Sequence, residues 1–179
     1  EDYRRGLRTL RSAGSYFGTH PDAPKIAEDM SNAFVTLYLK DIADSMPPYQ
    51  AIALYEEFKE LTPAGEQGDV VIQKLADRLA QVDLLDKAAR LLMQQVDFRL
   101  QGEEKARVGA RLATIRLINK QPAMAADAIT RSDETDIPPF LEGQRRQLLA
   151  RAYIDQGFEN RALSVLDKDE SRYADLLRA

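Results

Sequence analysis

The chain carries a single histidine, His20, and no cysteine, which removes most of the usual routes to bond-making chemistry. A Ser-His-Asp triad would have to run through that one imidazole. A HExxH helix has no second histidine to use, and thiolate metal sites and disulfides have no donor. His20 stands beside Pro21 in a turn-rich stretch, where its side chain is expected in solvent. Gly65 and Gly68, in AGEQGD, lack the Lys-Ser/Thr ending of a phosphate loop and follow a helical pattern, not a strand. The pairs Glu56/Glu57, Glu103/Glu104 and Asp133/Glu134 fall at helix surfaces or helix starts, where acidic groups favour the positive end of the dipole. No catalytic residue, metal ligand or cofactor is expected. What remains for recognition is the set of polar and charged residues on the helix surfaces.

The elements that must position those residues follow from composition and periodicity. At 179 residues and 44% hydrophobic content, the chain can bury the core of one domain or form a short array of helical hairpins. Charged residues make up 30% and are spread in both signs; the formal net charge of −4 offers no general attraction to a phosphate backbone, so nucleic acid is not an expected partner. No apolar run approaches the roughly 20 residues of a membrane span, and Glu1 to Arg11 is charged where a signal peptide would be greasy. Lack of cysteine fits a reducing cytosol and a cysteine-poor bacterial periplasm about equally.

Self-comparison shows the organisation. From Ala51 in PYQAIALY, steps of 37 residues land on Ala88, Ala125 and Ala162. Four residues after each alanine stands Tyr55, Leu92, Ile129 or Leu166, on the same helical stripe. Twelve residues before each comes Leu39, Ala76, Ala113 or Ala150, preceded by Tyr38, Leu75, Leu112 or Leu149. Each unit is therefore two helices that approach closely at a small side chain. Breakers sit between them: Ser45–Pro48, Gln81–Asp86, Asn119–Pro122 and Asp155–Asn160, with Pro48 and Pro122 placed in a first turn where no hydrogen bond is lost. Longer breaks at Leu61–Asp69, Leu100–Glu104 and Ser132–Pro139 separate the units, and Asp69 is the expected N-cap of the helix after the first break.

This pattern resembles the tetratricopeptide repeat, most clearly at Leu149, Ala150, Tyr153, Gly157, Ala162 and Leu166, and again at Leu75, Ala76, Leu79, Ala88 and Leu92. In the third unit Arg116 stands for the bulky residue and Lys120 for the glycine. The resemblance covers about Asp29 to Asp167 and implies an all-α fold, a right-handed solenoid of antiparallel helix pairs. The chain is also similar, more loosely, to the repeat regions of large bacterial exported proteins, which tilts the expected compartment towards the periplasm. The units then read as follows: 1–11, the second helix of a truncated repeat; 12–25, a loop insertion; 26–68, 69–102, 103–138 and 139–168, four repeats; and 169–179, a terminal helix or cap. The residues Phe34, Tyr38, Tyr55, Phe58 and Tyr153 lie on periodic apolar positions and are expected in the core.

In tetratricopeptide arrays the first helices line a concave groove. Carried over residue by residue, that groove would hold Thr36, Lys40 and Asp44, then Gln73, Lys74, Asp77 and Gln81, then Arg107, Arg111, Thr114, Gln147, Arg151 and Asp155. One subclass clamps a peptide's terminal carboxylate with basic and amide residues. Arg107 and Arg111 match its two basic positions in the third unit, whereas Lys40 and Lys74 stand where the clamp has amides and Thr36 where it has a base. The expected function is a scaffold that binds a peptide or protein through Lys40, Gln73, Lys74, Asp77, Arg107, Arg111, Thr114 and Arg151. The alternatives are a structural spacer or assembly segment of a large bacterial envelope or secretion protein, in contact with flanking repeats, and a helical enzyme or an accessory domain of one; the groove residues also read as a simple solvated helix face.

Overall fold

The computed structural model describes residues 3–40, 42–167 and 169–179; the side chain of Asp44, one of the expected groove residues, lies outside the described residues. Among them are ten α-helices and no strand. The chain divides into two compact units, Glu1–Arg78 and Leu79–Ala179.

The first unit contains α1 (Tyr3–Tyr16), α2 (Ala23–Leu39), α3 (Pro48–Phe58) and most of α4 (Glu66–Gln81). Its core is aromatic, as the periodic positions predict. Phe34, Tyr38, Tyr55 and Phe58 are all buried, and the Phe34 and Tyr38 rings lie 5.0 Å apart, with Tyr55 6.2 Å from Phe34 and edge-on to Tyr38 at 6.3 Å. Ala51 is fully buried beside them. The absence of a larger side chain there lets α3 come near enough for the Tyr38 hydroxyl to donate to the Ala51 carbonyl at 2.8 Å. Burial raises the Tyr38 pKa well above the ordinary phenol value. The α1 helix is tied to α3 by arginines on one stripe. Arg4 and Arg8 donate to the two carboxylate oxygens of Glu57 at 2.6 and 2.5 Å, and Arg11 lies over the Phe58 ring at 4.1 Å. These donors, Arg8 first, hold the Glu57 carboxyl below its ordinary pKa.

Two local expectations need correction. The segment Ser12–Tyr16, read from its small residues as part of a loop over 12–25, continues α1, and the turn is confined to 17–22. Ala13 and Gly14 are half-buried, and a Cβ on Gly14 would lie 3.8 Å from Ile26 of α2, so the small residues serve helix packing. Asp69 is not an N-cap: α4 begins three residues earlier, after Gly65 takes the left-handed φ of 79°. Asp69 is buried inside the first turn, its amide bonded to the Gly65 carbonyl at 3.1 Å.

The second unit contains the end of α4, then α5 (Leu85–Phe98), α6 (Gly102–Ile118), α7 (Pro122–Arg131), α8 (Pro139–Asp155), α9 (Glu159–Leu166) and α10 (Arg172–Arg178). From α5 to α9 each helix packs on the next, and α6 also meets α8, while α10 closes on α8 and α9. Ala88, Ala125 and Ala162 are buried, as are Leu92, Ile129 and Leu166 four residues on. Three turns are built alike. Asp83, Lys120 and Gly157 hold φ of 62°, 54° and 77°. The next amide in each case reaches back five residues: Leu84 to Leu79, Gln121 to Arg116 and Phe158 to Tyr153, at 2.8, 2.8 and 2.9 Å. This is the left-handed helix ending that satisfies carbonyls the helix leaves open. Prolines start α3, α7 and α8, where their missing N–H costs nothing.

Candidate functional site

The expected recognition residues fall in both units. In the first, Lys40 is exposed and forms the end of α2, its amide bonded to the Thr36 carbonyl at 3.0 Å. Gln73, Lys74 and Asp77 are half-buried on α4. Lys74 supports the fold, since its ammonium donates to the Leu39 carbonyl at 3.1 Å and closes the negative end of α2. Arg78, outside the expected recognition set, does the same for the next connection by donating to the Met46 carbonyl at 3.0 Å. So α4 places its basic side chains on open backbone carbonyls of the preceding hairpin.

In the second unit α6 carries Arg107, Arg111 and Thr114 at helical spacing, and α8 packs beside it with Gln147, Arg151 and Asp155. Arg107 is exposed and paired with Glu104, one turn back. Arg151 is exposed and donates from Nε to Asp155 at 2.9 Å. Both are surface pairs of small energy that an incoming anion can compete for. Arg111 differs, because it is half-buried and desolvation pushes its guanidinium below the ordinary arginine pKa. A less hydrated cation interacts more strongly with a carboxylate brought to it. Thr114 donates its hydroxyl to the Ala110 carbonyl of its own helix at 3.0 Å and keeps its acceptor capacity.

Gln147 has partners within the chain. Its amide donates to Asp169 at 2.9 Å and to the Ser171 hydroxyl at 3.0 Å, and Ser171 in turn caps α10 by accepting from the Ala174 amide at 3.1 Å. The Gln147 and Ser171 donors hold the Asp169 carboxyl below its ordinary pKa. Arg178 completes the latch by donating to the carbonyls of Leu166 and Asp169 at 2.5 and 2.6 Å. The α10 helix is thereby held on α8 and α9, with Ala174 buried against Ala150, Ala162 and Leu166.

The most buried polar cluster was not anticipated from the sequence. Arg145 on α8 is 4% exposed. Its Nη1 donates to the Ala106 carbonyl at 2.6 Å and the Ser132 hydroxyl at 2.9 Å, and its Nη2 to the Ile129 carbonyl at 2.8 Å. One guanidinium thus joins α6, the end of α7 and α8, and burial lowers its pKa. Ser132 donates onward to the Ala128 carbonyl at 2.7 Å. The close packing requires a glycine: a Cβ on Gly109 of α6 would fall 1.8 Å from the Ser132 hydroxyl oxygen. An isolated glycine inside a helical pattern was the available signal. The cluster is enclosed and reads as architecture. His20, for its part, is in the 17–22 turn, its Nδ1 accepting from the Asp22 amide at 3.2 Å.

No family model matches the sequence, and neither the curated proteins nor the solved structures contain a match to it.

Proposed function

We propose that the chain is a protein-interaction scaffold, a right-handed solenoid of tetratricopeptide-like pairs that takes a peptide or protein along the faces of its first helices. The observation that carries this reading is the neighbouring placement of α6 and α8, with Arg107, Arg111 and Thr114 on one and Arg151 on the other. Arg111, half-buried on α6 and one turn from Arg107, is the anchor of the proposed basic face.

The test uses peptides of one sequence carrying either a free or an amidated C-terminus, with binding measured by fluorescence anisotropy. Binding that needs the free carboxylate and is lost in Arg107→Glu/Arg111→Glu, with the thermal melt unchanged, supports the reading. Equal binding of both peptides, or by both proteins, sinks the basic anchor. A second reading, a spacer or assembly segment of a larger bacterial envelope protein, draws on exposed aromatics: Phe98 and Phe140 are each 83% exposed. Under it, Phe98→Ser and Phe140→Ser weaken docking of neighbouring segments and leave peptide binding unchanged.

A further inference from the structure

A second recognition feature lies elsewhere in the second unit, in the crevice where α5 and α7 meet over α6. It encloses a cavity of about 120 Å³. Its floor is buried and formed by Val96 of α5 with Leu112 of α6, beside Arg116, whose charge is met outside the cavity by Asp86. Its walls are two methionines, Met93 and Met124, the latter 52% exposed. Thioethers are polarisable and conformationally adaptable, which suits a wall that must close on an incoming side chain. The volume is somewhat below the roughly 150 Å³ of an apolar cavity that holds benzene, which favours one branched aliphatic group. The rim is charged unequally. Arg131 donates from Nη1 to both Asp97 oxygens at 2.8 Å and pairs through Nε with Asp127 at 3.2 Å, so two carboxylates share one guanidinium. Asp127 is the more open of the two, its side chain 60% exposed.

We infer that this crevice docks a peptide segment presenting a leucine-sized aliphatic side chain next to a cationic residue. The aliphatic group enters between Met93 and Met124, and the cation takes the carboxylate capacity that Arg131 leaves on Asp127. The site is independent of the α6 and α8 faces, since it needs no terminal carboxylate.

The probe is a blocked tetrapeptide, acetyl-Ser-Arg-Leu-Ser-amide, titrated to millimolar concentration against protein labelled at its methionine methyl groups. Its blocked ends keep it off a carboxylate-binding site. Met93 and Met124 should shift, while Met30 and Met46 stay still. Replacing the peptide leucine by alanine should abolish the shifts, and replacing its arginine by glutamate should weaken binding about fivefold, the scale of one exposed ion pair. Asp127→Lys, an exposed change, should invert that charge preference, and Met124→Glu should remove binding of both leucine-bearing peptides. Absence of shifts at Met93 and Met124, equal affinity for the three peptides, or unchanged preference in Asp127→Lys overturns the proposal.

Discussion

Gly109 offers the sharpest test of how the second unit is held together. Replacing it with alanine puts a methyl group 1.8 Å from the Ser132 oxygen and 2.2 Å from the Ser132 Cβ, with Arg145 Nη1 at 3.3 Å. Carbon atoms in contact need about 3.5–4.0 Å, so α6 and the end of α7 must part or Ser132 must swing away. The first response is overpacking, which costs about 1–3 kcal/mol. The second breaks the charge-assisted hydrogen bond from Arg145 to Ser132, worth about 1.5–3 kcal/mol. Either way Gly109→Ala should destabilise by about 3 kcal/mol, which for a chain of this size is roughly 6–12 °C in Tm. A double-mutant cycle separates this from a loss of generic helix packing. Ser132→Gly removes both obstructing atoms and should recover about 2 kcal/mol of the Gly109→Ala loss. Ser132→Ala removes the oxygen but keeps the Cβ 2.2 Å away, so it should recover little. Urea unfolding of the variants, followed by circular dichroism, gives the cycle. A Gly109→Ala protein within about 0.5 kcal/mol of the parent, or equal rescue by the two Ser132 variants, would refute the argument.

Arg145→Ala should cost about 1.5–3 kcal/mol, since it removes the charge-assisted hydrogen bonds that join the Ala106 and Ile129 carbonyls and the Ser132 hydroxyl; Arg145→Lys should recover little, because one ammonium cannot span three acceptors, and calorimetry checks both. Lys120→Gly should stabilise by about 0.5–1 kcal/mol by relieving a side chain held at φ 54°, and Gly157→Ala, at φ 77°, should destabilise by about 1 kcal/mol or more. Thermal melts check this pair of substitutions. The Asp169 latch should weaken in acid. Its folded pKa is depressed, so the unfolded chain binds the proton more readily; the contribution is complete above the ordinary aspartate value near 3.9 and is lost as pH falls through the folded pKa. The Ser171 and Ala174 amide resonances should titrate together in that window, and Gln147→Ala should move their midpoint upward. Midpoints that ignore Gln147 would count against the latch.

Most helix pairing in the second unit was legible because its signals are local. Small and bulky residues recur on one stripe, and proline and glycine mark the turns, so Ala88, Ala125 and Ala162 could be expected at close helix contacts from the sequence alone. All three are buried. The aromatic core of the first unit was legible for the same reason. What escaped were interactions whose partners are far apart in sequence. Arg145 looks like one of many arginines on a polar helix face, and only the folded chain brings the Ala106 carbonyl, 39 residues earlier, to 2.6 Å from it. The intrachain partners of Gln147 and Lys74 escaped by the same logic. Register says which face of its own helix a residue occupies, but not that a later cap or an earlier helix end will reach it. Ser12–Tyr16 failed differently: small residues signal turns and close helix packing alike, and sequence alone does not separate the two.

The departures at Arg116 and Lys120 show how a broken pattern can keep its geometry. In the left-handed helix ending, the residue closing the turn commonly packs on the residue five before it, whose carbonyl it caps. Those positions hold Leu79 and Leu84 in one turn and Tyr153 and Phe158 in another, all hydrophobic, but Arg116 and Gln121 in the third. The exception is internally matched. Arg116 is buried, and its Nη1 donates to the Gln121 side-chain oxygen at 2.5 Å and to Asp86 at 3.3 Å. The same Asp86 oxygen accepts from Gln121 and Asn119 at 3.1 and 3.0 Å. A polar pair thus takes over a hydrophobic contact, and the carboxylate that balances its charge comes from the first turn of α5. Since a buried charge without its partners is costly, Gln121 is not free to turn apolar while Arg116 remains, because its side-chain oxygen is the shorter of the two contacts of the guanidinium. Arg116, which departs from the apolar pattern, thereby fastens α6 to the start of α5.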